Sequence, residues 1–256
     1  MTTATDNLRI VLVGTQHPGN IGSAARAMKT MGLGGLHLVM PEHFPDPEAH
    51  RLAAGADDVL DRAGIHASLD AALAGCHFVL GTSARRRHVP LPEISPREAA
   101  RQLLEAAAQG PVALVFGRER TGLENDELQR CHATVGVPTD PDFSSLNLAA
   151  AVQVLAYELR LAVLAQAGSH APAGRQAPAA AAQPPATADE LQGYFAHLEQ
   201  ALHDLDFHKG KPPERVMARL RRLYLRAGLD ARELQILRGI LTESQRMARL
   251  ARGEQT

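Results

Sequence analysis

The feature that most constrains the fold is an alternation of two patterns along residues 1–165. Short apolar runs typical of β-strands occur at residues 10–13, 36–40, 77–81, 112–116 and 134–137. Helical patterns lie between several of them, at residues 22–31, 69–74, 96–109 and 125–131, and a longer one extends from about 147 to 164. This alternation predicts an α/β domain in which helices cover both faces of a parallel sheet.

The rest of the chain has a different composition. Residues 166–188 contain ten Ala and four Pro but no large apolar side chain, so we predict a flexible linker there. Three helical patterns follow, at residues 190–205, 213–226 and 231–250, and predict a small all-α domain. The predicted organisation is therefore a first domain at 1–165, a linker at 166–188 and a helical extension at 189–256.

Composition is that of an ordinary globular protein, and it excludes several classes of function. Apolar residues make up 45% of the chain and charged residues 21%. The sequence has no apolar run of the ~18 residues that a membrane span needs, and its first residues lack the layout of a signal peptide. The two cysteines have no CxxC spacing, and the twelve histidines include no HExxH motif. We therefore expect a cytoplasmic protein without a metal site.

Basic residues are concentrated in the helical extension. Residues 208–226 hold seven Lys or Arg and one acidic residue. Spacings of four, three and four place a row of arginines on one helix face, namely Arg215, Arg219, Arg222 and Arg226. Such a row is either a solvated surface or a contact for RNA phosphates. The nearby Tyr194 and Phe195 are candidates for stacking on bases or for packing in the core.

The loop after the first strand reads GTQHPGNIGSAAR, residues 14–26. It resembles a phosphate-binding loop, but the five- and three-residue glycine spacings match neither G-x-G-x-x-G nor G-x-x-x-x-G-K-[ST]. One interpretation is that Gly19 and Gly22 let the chain turn tightly into a helix. Arg26 stands alone on this Ala-rich helix, so it is either solvated or part of a site.

Three more polar loops each follow a predicted strand. They are GTSARRRH at 81–88, GRERTG at 117–122 and VPTDPDFSSLN at 137–147. Ligands of open parallel sheets bind outside the carboxyl ends of the strands, which makes these loops candidates for a site. Each also has a plain interpretation, as a solvated basic turn, a salt-bridged surface turn and a helix N-cap respectively.

Taken in chain order, these segments resemble the SPOUT superfamily of RNA methyltransferases. NIGSAAR, FGRERTG and SSLN correspond to its motifs N-x-G-x-x-A-R, F-G-x-E-x-x-G and S-S-L-N. Within that superfamily the chain is most similar to the TrmJ-type enzymes, which methylate a ribose 2′-hydroxyl in the tRNA anticodon loop. The resemblance is close over residues 8–165, and the tail RLRRLYLRAGLDARELQILRGIL is similar to the C-terminal helical extension of that family.

The resemblance implies a fold, a cofactor and an assembly. The parallel sheet would carry a C-terminal trefoil knot, which binds the methyl donor S-adenosyl-L-methionine. The enzyme would be a homodimer whose active sites use residues from both chains, and its target would be nucleotide 32 of tRNA, either C or U. The alternatives are a SPOUT enzyme with another target in tRNA or rRNA, and a non-catalytic RNA-binding module.

The resemblance also implies roles for individual residues. The catalytic set is Asn20, Arg26, Glu119 and Ser145. The cofactor set is Thr82, Ser83, Ala84, Gly117, Val137, Ser144, Ser145 and Leu146. The RNA set is Arg87 and Arg118 together with the arginine row of the helical extension.

Arg26 is the residue that this family is proposed to use as a base. A guanidinium rarely gives up its proton. We therefore expect Arg26 to position the 2′-hydroxyl or an adjacent phosphate and to stabilise the developing alkoxide charge. Phosphate, solvent and a neutral Arg26 all remain candidates for the proton acceptor.

Overall fold

A computed structural model of the protein describes residues 4–83, 91–168, 184–209 and 212–252. The chain forms two compact units, Met1–Pro178 and Ala179–Thr256. The first unit is an α/β domain and the second consists of helices, as the sequence predicts. The predicted boundaries at residues 165 and 189, like the predicted trefoil knot, stay predictions.

Among the described residues of the first unit, seven strands form one sheet. They are β1 (Leu8–Val13), β2 (Leu36–Val39), β3 (Gly64–His66), β4 (Phe78–Thr82), β5 (Glu93–Ile94), β6 (Val112–Phe116) and β7 (Ala133–Val135). Their order is β3-β2-β1-β6-β4-β7-β5, and every neighbouring pair is parallel. The sequence pattern misses β3 and β5 because these two- and three-residue edge strands are partly exposed and form no apolar run.

Seven helices cover the two faces of this sheet within the described residues. They are α1 (Pro18–Thr30), α2 (Pro47–Ala53), α3 (Asp57–Asp61), α4 (Leu69–Leu73), α5 (Pro96–Ala107), α6 (Asn125–Leu128) and α7 (Leu148–Gly168). The sequence pattern misses α2 and α3, which are only seven and five residues long. It predicts the others with shifted ends.

The start of α1 corrects the interpretation of its two glycines. Because proline suits the first turn of a helix, α1 begins at Pro18 and already contains Gly19 and Gly22. These glycines therefore do not form a turn before the helix. A Cβ on Gly22 would lie 2.0 Å from the carbonyl oxygen of Ala49. The role of Gly22 is thus to let the backbones of α1 and α2 pack closely.

The last helix of the first unit, α7, has two different faces. An apolar stripe of Leu148, Val152, Leu155 and Leu159 is buried in the core, where α7 packs against α1 and α5. Large apolar side chains on other positions of α7 are exposed, namely Tyr157, Leu161 and Leu164. Among the described helices only α7 is long and apolar enough to cross a bilayer, a property that core helices of soluble proteins share.

The second unit consists of α8 (Ala188–Asp204), α9 (Glu214–Ala227) and α10 (Ala231–Ala251). Capping boxes begin α8 at Thr187 and α10 at Asp230, and Gly228 ends α9 in a left-handed conformation. Tyr194 and Phe195 are buried in the core of this unit together with Leu198 and Met217. Of the two roles open to these aromatic residues, the structure shows core packing.

The predicted linker is described only at its two ends. At its start, α7 continues to Gly168. At its end, Pro185 bridges to Asp230, and the backbone N–H of Ala186 donates to Leu229. Both described ends are therefore structured, and residues 169–183 lie outside the described residues.

Candidate active site

An open cleft lies at the carboxyl ends of β4, β6 and β7. It encloses about 970 Å³ of space, part of which is continuous with solvent. Its polar wall comes from three of the loops that the sequence singles out. Seven of the eight predicted cofactor residues line it, namely Thr82, Ser83, Gly117, Val137, Ser144, Ser145 and Leu146. The eighth, Ala84, lies outside the described residues.

The cleft also has an apolar part beside the charged side chains of the hairpin at 117–122. It is formed mainly by Phe116, Leu123, Val135, Leu148 and Leu155. All five side chains are buried, so they form a fixed apolar surface beside the hydroxyl and backbone groups of the loops. An apolar pocket with a few placed polar groups is the usual form of a small-molecule site, and it suits a purine ring with a ribose attached.

A tight hairpin at residues 117–122 forms one wall of the cleft. Arg118 and Gly122 exchange both backbone hydrogen bonds, at 3.2 and 2.9 Å. A Cβ on Gly117 would lie 2.1 Å from the backbone nitrogen of Leu123, so only glycine fits at this position. The hairpin is therefore closed by its own backbone, and it presents Glu119 towards the loop that follows β1.

Glu119 holds that loop through three donors. Its carboxylate accepts from the backbone N–H of Gln16 at 3.1 Å, from that of His17 at 3.2 Å and from Nδ2 of Asn20 at 3.0 Å. The Oδ1 of Asn20 in turn accepts from Nδ2 of Asn147 at 2.9 Å. Glu119, Asn20 and Asn147 therefore form one chain of side-chain hydrogen bonds that joins all three sequence motifs.

Asn147 is a residue that the predicted site leaves out. Its Oδ1 accepts from the backbone N–H of Ala149 at 2.9 Å, so it caps the start of α7 while its amide reaches Asn20. The signal for it in the sequence is the last letter of the SSLN motif. A helix cap explains that letter equally well, so the pattern alone does not reveal the contact with Asn20.

The environment of Glu119 favours its ionised form. Partial burial by itself raises the pKa of this carboxyl, but hydrogen bonds from Asn20, Gln16 and His17 oppose it and leave the pKa below its ordinary value. Glu119 is therefore a carboxylate at neutral pH, and in that state it accepts all three hydrogen bonds.

Arg26 stands apart from this cluster. It is exposed on α1 and is not among the residues that line the cleft. It follows Asn20 by six residues, which places it about 9 Å further along the helix and about 120° around it. Within one chain the structure thus brings Asn20 and Glu119 together and places Ser145 in the cleft, but it does not bring Arg26 to them.

Arg118 has a partner within the protein. Its Nη1 lies 3.0 Å from Oε1 of Glu127 and 3.6 Å from Oε1 of Glu124, and three quarters of its side chain is buried. The predicted contact between Arg118 and RNA stays a prediction, as does that of Arg87, which lies outside the described residues.

The arginine row on α9 has the exposure that the sequence predicts. Arg215, Arg219 and Arg226 are exposed and Arg222 is partly exposed. In the part of the chain that the structure describes, Arg215, Arg219 and Arg226 make no ion pair with an acidic side chain. This face of the second unit therefore offers positive charge to solvent.

Among its described residues, the cleft shows no arrangement suited to a metal ion. Within residues 4–83, 91–168, 184–209 and 212–252 there is no group of three His, Cys, Asp or Glu side chains that would hold one. The polar groups in the cleft wall are hydroxyl and backbone groups together with the charged side chains of Arg118, Glu119 and Arg120, and such a set suits an organic ligand.

Comparison with known families matches both units of the chain. Residues 7–157 match the SpoU rRNA Methylase family, and residues 189–255 match the C-terminal domain of tRNA methyltransferase TrmJ. The first match contains the whole hydrogen-bond chain of Glu119, Asn20 and Asn147. The second contains the arginine row of α9.

Individual relatives match over nearly the whole chain. A tRNA (cytidine/uridine/adenosine-2′-O-)-methyltransferase from Pseudomonas aeruginosa (strain UCBPP-PA14) is 54% identical over 95% of this chain and 96% of its own. A tRNA (cytidine/uridine-2′-O-)-methyltransferase from Yersinia pestis (strain Pestoides F) is 51% identical over 94% and 92%. The crystal structure of TrmJ from Z. mobilis ZM4 has a TM-score of 0.78 and 35% identity over 92% and 97%. The chain belongs to the SpoU methylase family and, within it, to the TrmJ-type tRNA 2′-O-methyltransferases.

Proposed function

We propose that this protein transfers a methyl group from S-adenosylmethionine to the ribose 2′-hydroxyl of nucleotide 32, C or U, in the tRNA anticodon loop. The observation that carries the proposal is the chain from Glu119 through Asn20 to Asn147, which joins the three sequence motifs beside the cleft. The names of the relatives from Pseudomonas and Yersinia support a tRNA ribose as the substrate. The choice of nucleotide 32 depends on the family resemblance.

The residues of the cleft fit the cofactor. The apolar side chains suit the adenine ring, and the hydroxyl groups of Ser83, Ser144 and Ser145 suit its ribose and amino acid portions. When bound, S-adenosylmethionine supplies an electrophilic methyl group on a sulfonium. The protein holds this ligand between the hairpin at 117–122 and the start of α7, so its own residues decide which nucleophile approaches.

The transfer requires the ribose oxygen to lose its proton as the new C–O bond forms and the S–C bond breaks. We assign to Arg26 the positioning of the 2′-hydroxyl or an adjacent phosphate and the stabilisation of charge on that oxygen. Asn20 and Glu119 fix the beginning of α1, the helix that carries Arg26. The proton passes to phosphate, to solvent or to a neutral Arg26.

A homodimer accounts for the distance between Arg26 and the cleft. If α1 of one copy lies beside the cleft of the other copy, Arg26 reaches that cleft, although it does not reach the cleft of its own chain. The exposed apolar residues of α7, Tyr157, Leu161 and Leu164, give such a pair of chains a surface to bury. Sedimentation at micromolar concentration tests this point, and a monomer that is fully active would contradict it.

The second unit supplies affinity for tRNA in this proposal. Arg215, Arg219, Arg222 and Arg226 lie on one face of α9 and can contact successive phosphates. This sequence-independent contribution would hold the tRNA while the first unit reads the anticodon loop. A substrate of this kind is consistent with the expected cytoplasmic location.

The experiment that tests the proposed function is methylation of an unmodified tRNA with mapping of the product. Nuclease digestion and mass spectrometry should locate one methyl group on the ribose of nucleotide 32. A methyl group on a base or at another position would replace this reaction by that of a different SPOUT enzyme. A calorimetric titration that detects no binding of S-adenosylmethionine would favour the non-catalytic RNA-binding module instead.

A further inference from the structure

Arg118 lies in the hairpin at 117–122, directly before Glu119, and its guanidinium turns back into the protein. Its Nη1 contacts both carboxylate oxygens of Glu127, at 3.0 and 3.1 Å, and Glu124 lies 3.6 Å away. Glu127 is 9% exposed. An ion pair so shielded from solvent is geometrically demanding, because each charge has lost much of its hydration and depends on the other.

Glu127 is itself fixed by the backbone. Its Oε2 accepts from the backbone N–H of Glu124 at 2.7 Å, within the capping box that begins α6. The carboxylate that binds Arg118 is therefore held at the start of a helix that follows the hairpin. The ion pair ties the hairpin to this helix, while Glu119 ties the same hairpin to the loop that follows β1.

Arg118 also touches the loop that Glu119 holds. Gly14 follows β1 with φ at +57°, and a Cβ there would lie 2.9 Å from Nε of Arg118. This glycine begins the loop whose backbone N–H groups, at Gln16 and His17, donate to Glu119. The side chain of Arg118 thus packs against one end of the loop while Glu119 binds its other end.

We propose that Arg118 is a positioning residue: its ion pair with Glu127 locks the hairpin at 117–122, so that Glu119 holds the loop and the start of α1 in place. This inference rests on the proposed function, since its main effect is on methyl transfer. It gives Arg118 a role within the protein in place of the predicted contact with RNA phosphate. A displacement of about 1 Å at a reacting group reduces rate by about 100-fold.

The test compares Arg118→Met, Glu127→Gln and the double variant in the full-length protein. Glu127→Gln keeps an oxygen that can accept from Glu124 but removes the charge that binds Arg118. Each single change should lower kcat by about 10- to 100-fold. The kcat of the double variant should be no lower than that of the less active single variant, because both changes break the same ion pair. Although Arg118 lines the cleft, KM for tRNA should change by less than about threefold, because its proposed role is to position the hairpin and not to contact the RNA.

Two further readouts separate positioning from general damage. In a Glu119→Gln background, Arg118→Met should lower kcat by less than about threefold, since the residue through which it acts is already altered. The control is Asp70→Asn, which breaks the ion pair of Asp70 with Arg130 away from the residues that line the cleft. This control should keep the kcat of the unaltered protein. If Arg118→Met does not fold, the double variant carries the test, because it leaves no buried charge unpaired.

An RNA contact would give a different pattern. Glu127→Gln would then retain kcat, while Arg118→Met would raise KM for tRNA and reduce the slope of log affinity against log salt by about 0.7–0.9. That result would contradict the positioning role of the Arg118–Glu127 ion pair. So would a loss of kcat from Arg118→Met that is as large in the Glu119→Gln background as in the unaltered protein.

The positioning role of the Arg118–Glu127 ion pair can also be tested by a measurement that does not depend on methyl transfer. Both single changes should accelerate hydrogen exchange at the backbone N–H groups of Gln16 and His17, which donate to Glu119. Unchanged exchange rates at both groups would contradict the positioning role of Arg118, even if the variants are active. If the unaltered protein transfers no methyl group to tRNA, the proposed function fails, and the exchange experiment still decides the role of Arg118.

Discussion

The cleft of the first unit and the arginine face of the second unit use charge in opposite ways. In the cleft, Glu119 accepts three hydrogen bonds and Arg118 forms a shielded ion pair, so these two charged groups have fixed partners. On α9, Arg215, Arg219 and Arg226 are exposed and, among the described residues, have no acidic partner. We therefore expect changes in the cleft to act through the positions of its side chains. Changes on α9 should act through the number of positive charges.

The largest expected effect is at Arg26. Arg26→Lys keeps the positive charge but loses the planar donor pair, so kcat should fall by about 100-fold or more. Calorimetric affinity for S-adenosylmethionine should stay within about twofold, because the role assigned to Arg26 is toward the ribose oxygen or an adjacent phosphate and not toward the cofactor. Arg62→Lys, on the surface near α3, is the control. Near-full activity of Arg26→Lys would remove the specific role of the guanidinium.

Next in size is the change Glu119→Gln. An amide offers one acceptor oxygen where the carboxylate offers two, so the donors at Gln16, His17 and Asn20 cannot all be satisfied. We expect kcat to fall by about 10- to 100-fold, with a smaller change in KM for tRNA. Steady-state kinetics at saturating cofactor measure both. A defect confined to KM would show that Glu119 acts on substrate binding and not on the geometry of the loop.

Substitutions in the arginine row of α9 should have smaller effects, and these effects should appear in KM for tRNA. Arg219→Gln and Arg226→Gln should each weaken tRNA binding several-fold and reduce the salt slope by about 0.7–0.9, leaving kcat at saturating tRNA unchanged. Because charge number matters here, Arg219→Lys should retain most of the affinity. Filter binding between 50 and 200 mM salt checks this. A flat salt response in the unaltered protein would contradict the phosphate contact.

The remaining effect concerns the stability of the protein and not its activity, and it involves neither region. Burial lowers the pKa of His132 to about 4, and its Nδ1 accepts from the backbone N–H of Val79. Between pH 6.5 and 4 the unfolded chain binds more protons at this residue than the folded chain, so stability falls as the pH is lowered. The free energy of unfolding, measured with urea, should therefore be lower at pH 4.5 than at pH 7. In His132→Gln this decrease should be smaller by about 2–3 kcal/mol. Equal losses in both proteins would contradict this assignment.

The sequence predicts the fold well where elements are long or buried. The central strands are continuous apolar runs, and α7 shows a clear apolar stripe, so their patterns are unambiguous. Edge strands β3 and β5 and the short helices α2 and α3 carry too few residues for a period to show. The start of α1 is predicted late because Gly19 and Gly22 resemble turn residues, whereas Gly22 serves the contact with α2.

The site is predictable in part. The predicted cofactor residues follow strands whose carboxyl ends meet, so their loops converge, and seven of the eight line one cleft. Their role in binding the cofactor stays a prediction. The partners of Arg118 and Asn147 are not predictable, because a charged or polar residue in a loop does not reveal whether it faces solvent or a neighbouring element. In the proposed homodimer, the relation between Arg26 and the cleft would depend on the placement of a second chain, which no pattern within one chain describes.

The most direct test of the central claim removes a single oxygen from the substrate. A tRNA carrying a 2′-deoxy nucleotide at position 32 only, and its all-ribose counterpart, are incubated with the protein and radiolabelled S-adenosylmethionine. We predict stoichiometric methylation of the all-ribose tRNA and no incorporation into the deoxy tRNA, although both should compete equally for binding. Equal incorporation into the two tRNAs would contradict methyl transfer to the 2′-hydroxyl of nucleotide 32.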